Sequence, residues 1–156
     1  HLFDIHGIAD ECGAARFGMI GVSWGATVTR NLAAVSDRIT PAVLLGTYFG
    51  DIFTEAYLAP LLDYYSGDPV MTARVQGLRA WPGVEPAALR SPALVITGTE
   101  DGNVVNVLHA QRTAIEAAGI TLDVLEGLNH AGLIESVDTV LPRVHAFWAT
   151  HVGSQR

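Results

Sequence analysis

The sequence lacks the features that indicate a disulfide framework, a nucleic-acid partner or a membrane span. Its single cysteine, Cys12, excludes an internal disulfide, and its place in an apolar helical pattern predicts a buried thiol. The net charge is −7 and the few Lys and Arg residues are scattered, so the basic stripe that binds nucleic acid is missing. No apolar run approaches the roughly 20 residues that a membrane helix needs.

Apolar residues are abundant. They make up 49% of the 156 residues against 16% charged residues, which is typical of one soluble α/β domain with a substantial core. The first residues do not form a charged segment followed by an apolar one, as a signal peptide would. The chain also starts as if in the middle of a fold, so we expect its true amino terminus to be missing. The compartment, cytoplasmic or secreted, therefore stays open.

Runs of apolar residues and their spacing predict an alternation of strands and helices. Buried strands are predicted at Phe17 to Val22, Thr40 to Gly46, Ala93 to Gly98 and Thr121 to Leu125, and helices at Leu2 to Gly13, Trp24 to Val35 and Val104 to Ala118. The last helix is expected to become regular near Leu141, because Pro142 suits a helix start. Successive strands joined by helices indicate a parallel sheet.

The first strand stops at a serine that has a glycine two positions away on either side, in Gly21-Val22-Ser23-Trp24-Gly25. A strand that turns so tightly into a helix strains its corner residue, and we expect Gly21 and Gly25 to provide clearance. The serine hydroxyl would then project from the carboxyl edge of the sheet. The alternative is that Ser23 caps the helix and both glycines serve only packing.

An acid and a base follow the later strands. Glu100 and Asp101 come just past the third strand, and His130 lies in the loop after the fourth. Since the carboxyl ends of parallel strands meet at one edge, Ser23, one of the two carboxylates and His130 are expected to be close together. One residue of register decides between Asp101 and Glu100, and both are candidates for the acid at this point.

These motifs resemble the α/β-hydrolase family. The segments that carry the resemblance are G-V-S-W-G, G-T-E-D-G-N-V and G-L-N-H-A-G-L, similar to carboxylesterases and acetylxylan-esterase-like members. The resemblance implies a three-layer fold, a mostly parallel sheet with helices on both faces. It covers residues 1–156 as the carboxyl-terminal part of one domain, with the family's strands five to eight. A preceding segment of roughly 80 to 130 residues is expected to supply four more strands.

The resemblance also implies roles. Ser23 is the expected nucleophile, His130 the general base and Asp101 the residue that orients His130. The backbone N–H of Trp24, directly after the nucleophile, is expected to stabilise an oxyanion. No cofactor and no metal is expected, because the sequence has no H-E-x-x-H or comparable cluster.

Aromatic residues concentrate after the second strand. Between positions 48 and 65 the chain has Tyr48, Phe49, Phe53, Tyr57, Tyr64 and Tyr65, and two short helices are predicted, at Ile52 to Tyr65 and Pro69 to Leu78. Residues 47–91 are interpreted as a lid-like helical insertion, with Tyr48, Phe53 and Tyr57 in the substrate pocket. The alternative is a helical subdomain whose aromatic rings only pack against one another.

The favoured function is a serine hydrolase that cleaves small-molecule carboxylic esters through an acyl-enzyme. A prolyl-oligopeptidase-like peptidase, a thioesterase and an acyltransferase share the same three residues and remain alternatives. From another class, a binding protein that keeps the hydrolase architecture without turnover also fits the pattern. The sequence does not identify the acyl or alcohol group of the substrate.

Overall fold

Strands and helices alternate along the chain in the computed structural model, which describes residues 2–152. The strands are β1 (Phe17–Val22), β2 (Ile39–Leu45), β3 (Ala93–Gly98) and β4 (Thr121–Leu125), and the α-helices are α1 (Leu2–Glu11), α2 (Trp24–Val35), α3 (Glu55–Tyr64), α4 (Pro69–Gly77), α5 (Gly102–Ala110), α6 (Arg112–Ala117), α7 (Gly132–Glu135) and α8 (Val137–Val152). Short 3₁₀ helices span Leu78–Ala80 and Pro86–Ala88.

The strands form one parallel sheet in the order β1-β2-β3-β4. The register pairs Val22 with Leu45, Leu45 with Ile96, and Gly98 with Leu125. The carboxyl ends of the strands therefore lie side by side, and the loops that follow them share one edge of the sheet. In an open parallel sheet this is the edge where functional sites are built.

Apolar side chains pack on both faces of the sheet, which gives three layers. On one face Leu44 and Val95 pack with side chains of α2, α5 and α6, including Ala26, Leu108 and Ile115. On the other face Val43 and Ile96 pack with Leu133 of α7 and with Val140 and Val144 of α8. The predicted fold class, a parallel sheet between two helical layers, is confirmed.

Strand β1 lies at the edge of the sheet, although its apolar sequence is typical of a central strand. Within residues 2–152 it pairs with β2 alone. Its outer side is therefore open, and Ile20 is 39% exposed. Unpaired backbone groups along an apolar edge strand are a template for association with other chains.

Residues 47–91 connect β2 to β3 and contain α3, α4 and the two 3₁₀ helices; that this segment is an insertion stays a prediction. Leu58 of α3, Val75 of α4 and Leu78 make a small core of their own, separate from the two sheet faces. An antiparallel bridge between Gly50 and Val84 joins the beginning of this segment to its later part. Whether this insertion acts as a lid stays a prediction.

The expectations for Cys12, for the helix over Val104 to Ala118 and for the start of the last helix are wrong. Cys12 is exposed, whereas Ala9, three residues earlier, is the buried residue of this segment. The predicted helix over Val104 to Ala118 is two helices that meet at Gln111, whose side chain bonds to the distant Phe49 backbone.

The last helix begins at Val137, four residues before the expected start. Ser136 O accepts hydrogen bonds from Thr139 N and Val140 N at 3.0 and 3.1 Å, so the first turn is already formed there. Pro142 removes the bond to the carbonyl of Asp138. Both residues lie on the exposed side of α8, where water can satisfy that carbonyl.

Candidate active site

The turn between β1 and α2 holds Ser23 in a strained conformation. Ser23 has φ 54° and ψ −118°, a left-handed geometry that side-chain-bearing residues rarely adopt. Its N–H donates to Leu45 O at 2.8 Å, which fixes the turn to β2. A Cβ at Gly21 would lie 2.2 Å from Gly25 O, so the turn requires glycine at that position. The expectation for Gly25 is wrong, because a Cβ there meets no described atom within 4 Å.

The Ser23 hydroxyl points to His130 and not to the helix. The side chain makes no capping hydrogen bond at the start of α2, which disfavours the interpretation of Ser23 as a helix cap. Its Oγ lies 2.9 Å from His130 Nε2. The residue is thus strained in a way that orients its side chain away from the local backbone, and such strain is concentrated at functional sites.

Asp101, and not Glu100, lies against the histidine. Asp101 is 5% exposed, and its Oδ1 is 2.8 Å from His130 Nδ1. The hydroxyl of Thr97 donates to the other oxygen, Oδ2, at 3.0 Å and so fixes the rotation of the carboxylate. The side chain of Glu100 is exposed, while its backbone N–H donates to Leu128 O at 2.9 Å. Glu100 and Asp101 are adjacent in the sequence, but their side chains point in different directions, and only that of Asp101 reaches His130.

The imidazole of His130 fits against a glycine at the end of β2. Gly46 has φ +66°, and a Cβ there would lie 2.8 Å from His130 Cε1 and 3.0 Å from Nδ1. The His130 loop is shaped in turn by Asn129, whose Oδ1 accepts from Gly132 N at 2.8 Å. Gly98 leaves space for the same loop, since a Cβ there would lie 1.9 Å from Leu128 O. His130 is therefore held by contacts from the ends of two neighbouring strands.

Trp24 begins α2 directly after Ser23. The backbone N–H groups in the first turn of a helix have no intrahelical acceptor, and the helix dipole places partial positive charge there. The N–H of Trp24 is one of these groups. The indole has a separate contact: its Nε1 donates to Tyr57 Oη at 3.1 Å, and its ring packs against Phe53 with centroids 5.4 Å apart.

A cavity of about 300 Å³ opens beside the serine. Its wall consists mostly of aromatic, apolar and small polar side chains and includes the three predicted pocket residues, Tyr48, Phe53 and Tyr57. The remaining wall residues are Ser23, Trp24, Thr27, Gly46, Thr47, Ile52, Asn103, Val104 and His130. Burial raises the pKa of the Tyr48 phenol above its ordinary value, so this phenol is uncharged at neutral pH.

Comparison of the sequence with protein-family models and with curated proteins found no match. Among solved structures, NosK from Streptomyces actuosus is similar to the chain with a TM-score of 0.65 and 21% identity, over 96% of this chain and 75% of NosK. A structure from a study of carboxylesterases of Nitrososphaera gargenis has a TM-score of 0.68 and 16% identity, over 96% of this chain and 70% of that one. The chain has the α/β-hydrolase fold.

A third α/β-hydrolase, the meta-cleavage product hydrolase CumD from Pseudomonas fluorescens, gives a TM-score of 0.61 with 19% identity, over 92% of this chain and 68% of CumD. Since all three identities are low, the similarity shows the fold alone. Each match leaves a quarter or more of the other chain uncovered.

Several residues of this candidate site were not predicted from the sequence. Gly46 and Thr97 could have been found, since one is a glycine at a strand end and the other a polar residue in an otherwise apolar strand, four positions before Asp101. Arg30 and Gln111 support the cavity wall through contacts that are distant in sequence, so no local pattern indicates them.

Within residues 2–152 no three His, Cys, Asp or Glu side chains are grouped so that they could hold a metal ion. None of the helices in that range is both long enough and apolar enough to cross a membrane.

Proposed function

We propose that the chain is a serine hydrolase that cleaves carboxylic esters through an acyl-enzyme, with Ser23, His130 and Asp101 as its catalytic residues. The observation that carries this proposal is the continuous hydrogen-bonded chain from Ser23 Oγ to His130 Nε2 at 2.9 Å and from His130 Nδ1 to Asp101 Oδ1 at 2.8 Å. A serine hydroxyl is a weak nucleophile at neutral pH and needs a base within this distance.

In the acylation step His130 Nε2 takes the proton of Ser23 as Oγ forms a bond to the ester carbonyl carbon. The imidazolium then gives that proton to the alkoxy oxygen as the ester C–O bond breaks, so the alcohol leaves and the acyl group stays on Ser23. Asp101 stabilises the imidazolium and holds the ring with Nδ1 protonated. Thr97 contributes by fixing the carboxylate.

In the deacylation step a water molecule replaces the alcohol. His130 accepts a proton from the water as its oxygen attacks the acyl carbon, and returns it to Ser23 Oγ when the acid is released. In both steps negative charge develops on the carbonyl oxygen. The Trp24 N–H, at the positive end of α2, is the donor we assign to that oxygen.

Two further observations support an ester substrate. The cavity beside Ser23 is mostly apolar, and residues 47–91 contribute Ile52, Phe53 and Tyr57 to its wall, which suits an uncharged acyl group under a lid-like insertion. Solved structures of similar fold include one from a study of carboxylesterases and a meta-cleavage product hydrolase, which supports hydrolysis as the class of reaction.

The test is covalent labelling with a fluorophosphonate together with turnover of p-nitrophenyl acetate. We expect the probe to label the wild-type chain on Ser23, and the Ser23→Ala variant to lose labelling and turnover while it keeps its fold. Ser66→Ala is the matched control, because it removes an exposed hydroxyl in the α3–α4 connection. Turnover well above background in purified Ser23→Ala would refute the assignment. A folded wild-type chain that neither labels nor hydrolyses the ester would favour a binding protein.

A further inference from the structure

The segment that follows β2 forms one wall of the cavity. We call residues 47–50 the β2 loop. Thr47 and Tyr48 line the cavity next to Ser23 and His130, whereas Phe49 is 2% exposed and packs into the core beneath α2. The loop thus connects the core of the sheet with the surface that a bound acyl group would touch.

Arg30 of α2 holds this loop from below. It is 1% exposed, and its Nη1 donates to the carbonyl oxygens of Tyr48 and, at 3.3 Å, of Gly50. Its Nε and Nη2 donate to Asn31 Oδ1 at 3.0 and 2.8 Å. All of these acceptors are neutral oxygens, although Asp51 and Glu85 also act electrostatically on the guanidinium.

Burial of the charged Arg30 guanidinium has a cost in desolvation free energy. Burial lowers the pKa of Arg30 to about 10, so the group is still charged at neutral pH and must be desolvated to occupy this place. Since an apolar residue could fill the same volume without that cost, the distinctive contribution of the guanidinium is its set of hydrogen bonds to the β2 loop.

Gln111 holds the same loop from another side. It lies where α5 ends and α6 begins; its Nε2 donates to Phe49 O at 3.0 Å and its Oε1 accepts from Phe49 N at 3.3 Å. Gly50 N donates to Val84 O at 2.8 Å, and the hydroxyls of Thr47 and Thr27 are 3.1 Å apart. Every residue of the β2 loop is therefore hydrogen-bonded to a partner outside it.

We propose that Arg30 and Gln111 are positioning residues that fix the β2 loop as a rigid wall of the acyl pocket and thereby determine how bulky acyl groups bind. The inference rests on the proposed function, in which this cavity receives the acyl group. Neither side chain lines the cavity, so both act through the loop. A bulky acyl group needs the Tyr48 ring in a fixed place, whereas an acetyl group extends little beyond Ser23.

The experiment compares Arg30→Met and Gln111→Met with the wild-type chain on p-nitrophenyl acetate and p-nitrophenyl phenylacetate. We expect the ratio of KM for phenylacetate to KM for acetate to rise about tenfold in each variant, which corresponds to about 1.4 kcal/mol of lost binding. Arg30→Lys should restore part of the effect, since an ammonium reaches one carbonyl but lacks the planar fork of arginine. Amide hydrogen exchange at residues 47–50 should accelerate in both methionine variants.

Arg38→Met is the matched control. Arg38 also bonds two backbone carbonyls, those of Ala14 and Ala15 at 2.9 and 3.0 Å, but in a loop that does not line the cavity. Its loss should lower the melting temperature without a change in the KM ratio.

An unchanged KM ratio in the folded variants of an active chain overturns the inference but leaves the proposed function intact. If Arg30→Met does not fold, Gln111→Met alone decides, because Gln111 is only partly buried. A wild-type chain that hydrolyses neither ester refutes the proposed function itself, and the specificity role of both residues with it.

Discussion

Replacement of Gly46 by alanine tests the geometry of the site without removing any of its functional groups. A Cβ at this position would lie 2.8 Å from His130 Cε1, 3.0 Å from Nδ1 and 3.1 Å from Leu133 Cδ1. Carbon atoms in ordinary contact are about 3.5 to 4.0 Å apart, so the imidazole must move by about 0.7 Å or more. The methyl group therefore acts as a wedge between the end of β2 and the histidine.

The displacement acts on two short hydrogen bonds at once. The His130 ring is 2.9 Å from Ser23 Oγ and 2.8 Å from Asp101 Oδ1, and a shift of this size takes at least one of them to about 3.5 Å, where a hydrogen bond is no longer effective. A misplacement of about 1 Å in a catalytic arrangement can cost about a hundredfold in rate. We expect kcat/KM for p-nitrophenyl acetate to fall by about that factor in Gly46→Ala.

A variant at a second glycine distinguishes the steric effect on His130 from the effect of backbone strain. Gly46 has φ +66°, so alanine there also costs about 1 to 2 kcal/mol of stability. Gly119, after α6, has φ +70°, but a Cβ there meets no described atom within 4 Å. Gly119→Ala should therefore lose comparable stability in thermal unfolding and keep its activity. If both variants have the same kcat/KM, the explanation through His130 is refuted.

Three further predictions concern the acid, the pocket and the sheet edge. Asp101→Asn should reduce kcat/KM far more than Glu100→Gln, because only Asp101 contacts His130; the reverse order in a steady-state assay would assign the acid to Glu100. Phe53→Ala with Tyr57→Ala should change the preference for acyl-chain length more than the turnover of an acetate ester, and loss of folded protein in circular dichroism would favour a purely structural role for these rings. Ile20→Lys should lower aggregation of the 156-residue chain in light scattering, because a charge on the exposed strand blocks edge pairing; unchanged scattering would place the association surface elsewhere.

The strands were predictable because their signal is local. The β1, β3 and β4 segments have the predicted bounds, and β2 differs by one residue at each end. Apolar runs bounded by glycine or polar residues indicate buried strands without knowledge of their neighbours. The position of β1 in the sheet was not predictable in this way, since its apolar character does not reveal whether both sides are paired.

The approach of Ser23 and His130 could be predicted from topology, since both follow strands of one parallel sheet. The choice between Asp101 and Glu100 depended on the exact residue at which the chain turns after β3. The structure gives the direction of each side chain, and their catalytic roles stay a prediction. By contrast, the break at Gln111 was missed because the apolar spacing continues through it. Its cause is a pair of hydrogen bonds to Phe49, 62 positions away in the sequence.

The contact between Trp24 and residues 47–91 allows the site to be followed by tryptophan fluorescence. The chain has three tryptophans, and Trp24 is 47% exposed beside Ser23, with its indole hydrogen-bonded to Tyr57 and packed at a tilt against Phe53. The Phe53 ring in turn packs edge-on against Trp81 at 5.9 Å, whereas Trp148 contributes to the core on the opposite face of the sheet. Two of the three tryptophans thus report on the same small region. Formation of an adduct at Ser23, or any separation of α3 from the turn between β1 and α2, would change the emission spectrum without an added label.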